Sequence, residues 1–304
     1  MDRQKVLAIV GPTGIGKTSL SVWLAKQLDG EIISCDSMQV YKKMDIGTAK
    51  VTQEEMQGIH HELIDVQNYN EPYNVKVFQE KCRTAIEDVV KRGKFPILCG
   101  GTGLYLKAAL YDYEFQEENE DIAYTTFLNS KTNEELVAKL KEKDEKALEK
   151  IHPNNRKRLI RALQICHSGT SKSEQEDKQQ HIPLYDVYFL GLDVNREILH
   201  DRINKRVDIM LENGLVKEVE ELFSNPKTWK YTSFQGIGYK EFKDYFLKEK
   251  SIDEVKTAIK THSRQYAKRQ YTWFKNQMPV HWFEAQNRDE IYSAVKEWLM
   301  DEDK

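Results

Sequence analysis

Residues 11–18 constrain the fold of this chain more than any other segment, because they match the pattern G-x-x-x-x-G-K-[ST] at every position. They follow a short apolar run at residues 6–10 and precede an amphipathic helical pattern at residues 18–28. A strand, a glycine-rich turn and a helix in this order bind anions through backbone N–H groups, the helix N-terminus and the lysine. We therefore predict that a di- or triphosphate binds at Gly11, Pro12, Thr13, Gly14, Ile15, Gly16, Lys17 and Thr18.

Short β-rich runs alternate with helical patterns along the first third of the chain, which is typical of a parallel sheet covered by helices. Strands are predicted at residues 6–10, 31–35, 61–66, 95–99, 185–193 and 280–283. The spacing of apolar residues predicts helices at residues 18–28, 75–91, 196–213, 215–223, 239–246, 252–275 and 288–300. The predicted fold class is α/β, with a parallel-sheet core that carries the phosphate-binding loop and is wrapped by helices.

The composition changes between residues 113 and 183, where lysine- and glutamate-rich helical patterns replace the alternation of strands and helices. This segment has an acidic start and a polar stretch at residues 168–180, to which we assign no role. The acidic residues are Glu114, Glu117, Glu118, Glu120 and Asp121. We predict a first part of the core at residues 1–112, an all-helical insertion at 113–183, and a second part of the core with basic helices at 184–304.

Overall charge and composition exclude several classes of protein. The chain has 46 Lys and Arg against 49 Asp and Glu, a net charge of −3, so only a local basic patch could bind nucleic acid. Its longest early apolar run, at residues 6–10, is far shorter than the roughly 18 residues that span a membrane, so we expect a cytoplasmic protein with no membrane association. The four widely spaced cysteines predict neither a zinc site nor disulfides.

Two further segments are predicted to follow strands at the same edge of the sheet. Asp36 follows the second strand in the segment CDSMQVY, and Thr102 lies in the segment GGTGLY after the fourth strand. Ligands of parallel α/β sheets bind at the carboxyl ends of the strands. Asp36 can be either a site carboxylate or a helix cap, and the glycines around Thr102 can serve a tight turn alone.

The segments GPTGIGKT, DSMQVY and GGTGLY, in this order and spacing, resemble those of the bacterial tRNA dimethylallyltransferase family. The resemblance continues through residues 152–163, 206–219, 235–241 and 268–275, and so covers nearly the whole chain. It implies transfer of a dimethylallyl group from dimethylallyl diphosphate to N6 of the adenosine 3′ of the anticodon, tRNA position 37. The products are N6-dimethylallyladenosine and diphosphate. The implied partners are the donor and the tRNA anticodon stem-loop, and we expect a monomer.

The residues in these segments have the chemistry that such a transfer requires. Diphosphate can leave the allylic carbon once its charge is neutralised by the loop amides, by Lys17, and by a Mg²⁺ ion that we predict Thr18 to bind. Arg206, with Arg202 as a substitute, is predicted to contact the diphosphate; a surface salt bridge is the alternative for each. A carboxylate within hydrogen-bond reach can accept the proton that the adenine amine loses. The predicted catalytic residues are Asp36, Lys17, Thr18 and Arg206.

An adenine in a stacked anticodon loop must be flipped out before it can react, and the loop must be held by phosphate contacts and stacking. Residues 257–275 and 156–161 are basic segments without acidic residues, although each could instead be a solvated helix face whose aromatic side chains lie in the core. With the family's other contacts, the predicted tRNA-binding residues are Asp36, Ser37, Met38, Gln39, Thr102, Lys157, Arg158, Leu159, Ile160, Arg161, Gln235, Gly236, Ile237, Gly238, Tyr239, Lys240, Lys268, Arg269, Gln270, Tyr271, Thr272, Trp273, Phe274 and Lys275.

Three other functions fit part of the sequence. A small-molecule or nucleoside kinase would use the loop for ATP, and a switch factor of the GTPase type would hydrolyse a nucleotide slowly without changing RNA. An adenylate isopentenyltransferase would share the chemistry but would not need basic helices. The chain also departs from the bacterial family at Tyr124, where an arginine is common.

The basic helical pattern generates a first prediction, made with the double variant Lys268→Ala and Arg269→Ala. Each phosphate contact contributes roughly −0.7 to the slope of log K against log salt for single strands. If both side chains meet phosphates, the double variant should flatten the slope for tRNA binding by about one to two units and leave donor binding unchanged. An unchanged slope in a variant with wild-type circular dichroism would contradict the assignment.

Overall fold

The computed structural model describes residues 3–115, 121–174 and 181–301. Its contacts divide the chain into two compact units, one formed by Met1–Tyr111 with Pro183–Lys304 and the other by Asp112–Ile182. Three residues of the predicted acidic start, at positions 117, 118 and 120, and part of the polar stretch, at 175–180, lie outside the described residues.

A six-stranded parallel sheet forms the centre of the larger unit, with the strand order β3-β2-β4-β1-β5-β6. The strands are β1 Lys5–Val10, β2 Gly30–Ser34, β3 His61–Glu62, β4 Phe95–Gly100, β5 Asp186–Asp193 and β6 His281–Glu284. At the end of β1, Val10 lies opposite Gly100 of β4 and Gly191 of β5. The predicted α/β fold with a parallel sheet is confirmed.

Both faces of the sheet are covered, and β1 shows this directly. Val6, Ala8 and Val10 belong to one buried cluster, while Leu7 and Ile9 belong to another. Alternate residues of a strand point to opposite faces, so an apolar run without polar interruption is what a doubly covered strand requires. This burial explains why β1 could be predicted from its sequence.

The helices of the larger unit surround this sheet. They are α1 Lys17–Leu28, α2 Gln53–Met56, α3 Val75–Lys91, α4 Gly103–Leu110, and, after the smaller unit, α8 Arg196–Glu212, α9 Leu215–Phe223, α10 Lys243–Phe246, α11 Ile252–Gln277 and α12 Arg288–Met300. Short 3₁₀ helices lie at Pro226–Lys230, Ser233–Gln235 and Lys240–Phe242. Among the described residues, no helix is long and apolar enough to cross a membrane.

Two predicted elements differ from those observed. The strand predicted at residues 61–66 ends at Glu62, because Leu63 and Asp65 have φ angles of +62° and +55°, in the left-handed region that a strand excludes. The helix predicted at residues 239–246 is split into the 3₁₀ helix Lys240–Phe242 and the short α10.

The smaller unit is built from helices. It contains α5 Ile122–Asn129, α6 Asn133–Asp144, the 3₁₀ helix Glu145–Glu149 and α7 Arg156–His167, and none of its described residues lies in a strand. Leu128, Leu136, Leu140 and Leu163 are among the buried side chains of its own core. A capping box formed by Thr132 and Glu135 starts α6 by satisfying backbone N–H groups that the helix leaves unpaired.

Candidate active site at the carboxyl edge of the sheet

The phosphate-binding loop connects β1 to α1 with the geometry that its sequence predicts. Gly14 and Gly16 have φ angles of +79° and +106°, and Gly16 is the N-cap of α1. No atom lies within 4 Å of a Cβ built on Gly16, so the backbone conformation, rather than a lack of space, requires glycine there. The loop thus ends at a helix N-terminus whose backbone N–H groups are available to an anion.

Lys17 is held beside this loop and is partly removed from water. Its Nζ donates to the carbonyl oxygens of Gly11 at 3.0 Å and Pro12 at 2.8 Å. Burial lowers the pKa of Lys17 to about 8; the charges of Cys99 and Asp36 oppose this shift, and Arg206 adds to it. A cation in this position gains from the arrival of an anion, which would restore the interactions that it lost on leaving water.

Arg206 and Arg202, both on α8, reach the same loop. Arg206 donates from Nη1 to Oγ1 of Thr13 at 3.2 Å and from Nη2 to the carbonyl of Ala49 at 3.4 Å. Burial lowers the pKa of Arg206, while Asp36 and then Glu55 oppose that shift. Arg202 is more exposed and donates to the carbonyl of Ile15 at 3.4 Å. Within the described part of the chain neither arginine forms a salt bridge, so the surface-pair alternative is not realised.

Asp36 is followed by a turn and not by a helix, so the helix-cap alternative is not observed. Its Oδ1 accepts from the backbone N–H groups of Met38 at 2.8 Å and Gln39 at 3.3 Å, so it stabilises the turn after β2. The same side chain lines the cavity next to the phosphate-binding loop and interacts electrostatically with Lys17 and Arg206. These turn contacts therefore fix a carboxylate at the edge of the cavity.

Lys17, Arg206 and Asp36 all line one cavity of about 360 Å³. Its lining combines the cationic side chains, the carboxylate of Asp36 and the glycine turn after β4 with a few aliphatic side chains. The lining includes Thr13, Gly14, Gly16, Lys17, Thr18, Asp36, Gln39, Thr48, Gly100, Gly101, Arg202, Arg206, Tyr266 and Gln270, with Ile32, Val51 and Ile64 as the apolar contribution. Cations, one well-fixed carboxylate and a few aliphatic side chains can together bind a short diphosphate ester beside a proton acceptor.

Gln270, on the basic helix α11, joins two loops of this cavity. Its Oε1 accepts from the backbone N–H of Thr13 at 3.0 Å, and its Nε2 donates to the carbonyl of Gly101 at 2.9 Å. A Cβ on Gly101 would collide with Nε2, so the close approach requires glycine. The buried amide of Gln270 thus positions the phosphate-binding loop and the glycine turn, while its predicted contact with tRNA stays a prediction.

Several other predicted tRNA-binding residues have buried side chains, which corrects their assignment as side-chain contacts. Leu159, Tyr239 and Phe274 are 0% exposed and pack in the cores of their units. Trp273 is partly buried against Gly103, where a Cβ would collide with its ring. Stacking of a base on Trp273 stays a prediction. Because the ring is partly buried, only its exposed part could contact a base.

The remaining predicted tRNA contacts are exposed or partly exposed. Lys157, Arg158 and Arg161 are exposed on α7 of the helical unit, while Ile160 is half-buried. On α11, Arg269 lies over the ring of Tyr266 and Lys275 over that of Tyr271, at 5.7 Å and 4.5 Å from the ring centroids. In the larger unit, the exposed or half-buried predicted contacts are Ser37, Met38, Gln39, Thr102, Gln235, Ile237, Lys240, Lys268, Arg269, Tyr271, Thr272 and Lys275, while Gly236 and Gly238 are buried. These roles stay predictions.

Some of the basic residues serve the fold. On α11, Lys260 forms a salt bridge with Asp208 at 2.7 Å, and Arg264 donates to Asn204 at 2.6 Å, so both tie this helix to α8. In the helical unit, Arg156 donates to the carbonyls of Leu128 and Asn129. Tyr124, at the family's arginine position, stacks on His167 with the ring centroids 3.9 Å apart.

Sequence reasoning missed Glu218 of α9, whose carboxylate binds the backbone of residues 45–47. Its neighbours in sequence carry no signal for this contact, since its partners are main-chain N–H groups. A cluster of Glu31, His60 and Glu62 has the spacing of metal ligands, but Arg92 already pairs with both glutamates, at 2.6 Å and 2.9 Å.

A phosphate-binding loop, half-buried cations and a carboxylate at one edge of a parallel sheet are the groups that an α/β enzyme acting on a phosphate ester requires. The sequence model of the IPP transferase family matches residues 39–277, and the chain belongs to this family. It is 50% identical over 301 residues to a tRNA dimethylallyltransferase of Bacillus anthracis, covering 97% of this chain and 96% of the relative.

Comparison with solved structures supports the same family. A tRNA isopentenylpyrophosphate transferase of Bacillus halodurans is 41% identical, with a TM-score of 0.73 and coverage of 98% of this chain and 97% of that one. A eukaryotic dimethylallyltransferase acting on tRNA is 32% identical, with a TM-score of 0.82 over 97% of this chain and 79% of that one. The family and the prenyltransferase class predicted from the sequence are confirmed. The names of these relatives give no support to the kinase alternative.

The environment of Lys17 generates a second prediction, a pH dependence of anion binding. Because its pKa is about 8 in the free protein, Lys17 loses its charge as the pH rises through that value. Calorimetry should show that affinity for inorganic diphosphate falls above pH 8 by up to about tenfold per pH unit. Lys17→Arg keeps its charge and serves as the control, because ionisation of the diphosphate is common to both proteins. Identical pH profiles for the two proteins would contradict the assignment.

Proposed function

We propose that this protein transfers the dimethylallyl group of dimethylallyl diphosphate to N6 of the adenosine at tRNA position 37, releasing diphosphate. One observation carries the proposal: Lys17 and Arg206 lie beside the phosphate-binding loop in the same cavity as the carboxylate of Asp36. The relatives named as tRNA dimethylallyltransferases support the same reaction.

The donor half of the reaction needs stabilisation of a leaving group. As the bond between the allylic C1 and the diphosphate oxygen breaks, negative charge grows on the diphosphate. Lys17, Arg206 and the N–H groups at the start of α1 are fixed before the reaction, so they can stabilise that charge without reorganising. Ile32, Val51 and Ile64 contribute aliphatic side chains to the cavity lining, which suits a five-carbon chain.

A Mg²⁺ ion fits the oxygen atoms that surround this position. The hydroxyl of Thr18 lies at the N-terminus of α1, and the carboxylates of Asp36 and Glu55 line the same cavity. Hard divalent cations prefer such oxygen ligands together with phosphate oxygens. When bound through Thr18 and the diphosphate, the ion would offset charge on the leaving group.

The acceptor half needs a base at the adenine amine. The N6 lone pair is conjugated with the ring, but N6 becomes acidic as its bond to C1 forms. Asp36 is held by the N–H groups of Met38 and Gln39, so its carboxylate is oriented before the adenine arrives. The new C1–N6 bond forms, the C1–O bond to diphosphate breaks, and the N6 proton passes to Asp36.

The acceptor is a flipped adenosine of the tRNA anticodon stem-loop. Exposed cations of α11, with Lys268, Arg269 and Lys275 at its C-terminal half, support binding of the phosphate backbone by the larger unit. Lys157, Arg158 and Arg161 supply exposed positive charge on α7 of the helical unit. We further propose that the protein acts as a monomer, and in the cytoplasm, since the acceptor is tRNA.

Prenyl transfer itself is tested by mass spectrometry. The protein is incubated with dimethylallyl diphosphate, Mg²⁺ and unmodified tRNA whose anticodon loop carries a run of adenosines, and the tRNA is then digested to nucleosides. The proposal expects dimethylallyladenosine without any need for ATP. A stoichiometric requirement for ATP, or a phosphorylated product, would support the kinase alternative instead.

Asp36→Asn gives the third prediction. Asparagine keeps an oxygen that can accept from Met38 and Gln39, so the turn should persist while the proton acceptor is lost. Loss of a general base typically lowers the rate on the order of 10²–10⁴-fold. Single-turnover prenylation should slow by this amount, although tRNA and diphosphate still bind. A variant as fast as the wild-type protein would leave Asp36 with its turn-stabilising role alone.

A further inference from the structure

Glu218 makes an unusually complete set of hydrogen bonds for a surface-helix carboxylate. Its Oε2 accepts from the backbone N–H groups of Asp45 at 2.8 Å and Ile46 at 2.7 Å. Its Oε1 accepts from the backbone N–H of Gly47 at 3.0 Å and from the phenol of Tyr239 at 2.7 Å. Three successive N–H groups that converge on one anion form a compact anion site, and here the anion is a side chain of the protein.

The surroundings leave this contact little freedom. Tyr239 is buried, and burial together with the charge of Glu218 raises the pKa of its phenol, so the phenol remains a donor. A Cβ on Gly47 would lie 2.5 Å from the Tyr239 ring, and a Cβ on Gly238 would lie 3.1 Å from the Gly47 carbonyl. Two loops distant in sequence therefore meet at glycines, with the Glu218 carboxylate joining them.

Residues 45–50, which we call the 45–50 turn, carry contacts to the cavity. The carbonyl of Ala49 accepts from Arg206 at 3.4 Å and from Nε2 of Gln39 at 3.2 Å, and the carbonyl of Thr48 also accepts from Gln39 at 3.3 Å. Thr48 lines the cavity. The 45–50 turn therefore supplies the carbonyl groups to which Arg206 and Gln39 donate, and its position affects the position of both side chains.

We propose that Glu218, with Tyr239 as its fourth donor, is a positioning residue that holds the 45–50 turn so that Arg206 is directed at the phosphate-binding loop. Glu218 does not line the cavity and acts through Ala49 and Arg206. The effect on catalysis rests on the proposed function, whereas the effect on diphosphate binding does not. A contact that only stabilised the fold would change the melting temperature and leave the affinity of the folded protein for diphosphate unchanged.

Glu218→Gln, Tyr239→Phe and Glu220→Gln form a matched set. In Glu218→Gln the new side-chain amide would place a donor against backbone donors and force the turn to shift, while Tyr239→Phe removes only one of four hydrogen bonds. Glu220 is exposed on the same helix, so its replacement makes the same chemical change away from the turn. Binding of inorganic diphosphate is measured by calorimetry, tRNA binding by titration, and prenylation as kcat and KM for the donor, all well below each variant's melting temperature.

For Glu218→Gln we expect diphosphate affinity to fall roughly 10- to 100-fold, the range for one charge-assisted contact. The kcat/KM for the donor should fall on the order of 10²-fold. The affinity for tRNA should fall by less, because most of the predicted tRNA contacts lie away from the 45–50 turn. Tyr239→Phe should shift diphosphate binding in the same direction by less, and Glu220→Gln should match the wild-type protein.

Wild-type diphosphate affinity in folded Glu218→Gln would overturn the proposal, as would an equal loss in Glu220→Gln. If Glu218→Gln does not fold, Tyr239→Phe decides, and wild-type diphosphate affinity in that variant overturns the proposal. Absence of prenylated adenosine with the wild-type protein would refute the proposed reaction, yet the diphosphate measurements would still test the role of Glu218.

Discussion

The site depends on cations that the fold removes from water beside a glycine-rich loop. Burial lowers the pKa of both Lys17 and Arg206, and the charge of Arg206 lowers that of Lys17 further. Asp36 partly compensates the two cations and is itself held by a backbone turn. Such an arrangement is costly in the free protein and is completed by an anion, so it favours a diphosphate whose charge grows as the reaction proceeds.

Three structural devices keep these groups in place. Parallel pairing of β1 with β4 and β5 brings the phosphate-binding loop and the glycine turn to one edge of the sheet. Gln270 then links the two through one accepted and one donated hydrogen bond. Glu218 orders the 45–50 turn, on which Arg206 rests. Backbone groups are the partners in each case, so the position of the site is set by the main chain.

Most strands and helices and the phosphate-binding loop could be predicted, because the sequence patterns that specify them lie within short segments. The apolar run of β1, the glycine pattern after it and the helical spacing of α3 are properties of short segments, and the observed bounds of α3 are those predicted. The third strand was predicted too long because positive φ angles at Leu63 and Asp65 leave no clear mark in the sequence. Asp36, Lys17 and Arg206 were found together through a family pattern as well as through residue chemistry.

The errors share a physical cause, which is that a basic or aromatic residue type does not say which way its side chain points. Phe274 and Tyr239 lie in the core, although Phe274 belongs to a helix with an exposed basic face. Glu218 could not be found because it binds main-chain N–H groups far away in sequence, and any residue can supply those.

The most direct test of this account is a crystal structure with a non-hydrolysable thio analogue of dimethylallyl diphosphate and an unmodified anticodon stem-loop. The account predicts the diphosphate between Lys17 and Arg206, and the adenine N6 about 3–3.5 Å from the allylic C1. Asp36 should lie within about 2.6–3.2 Å of N6. A diphosphate bound away from Lys17, or an adenine beyond reach of Asp36, would contradict it.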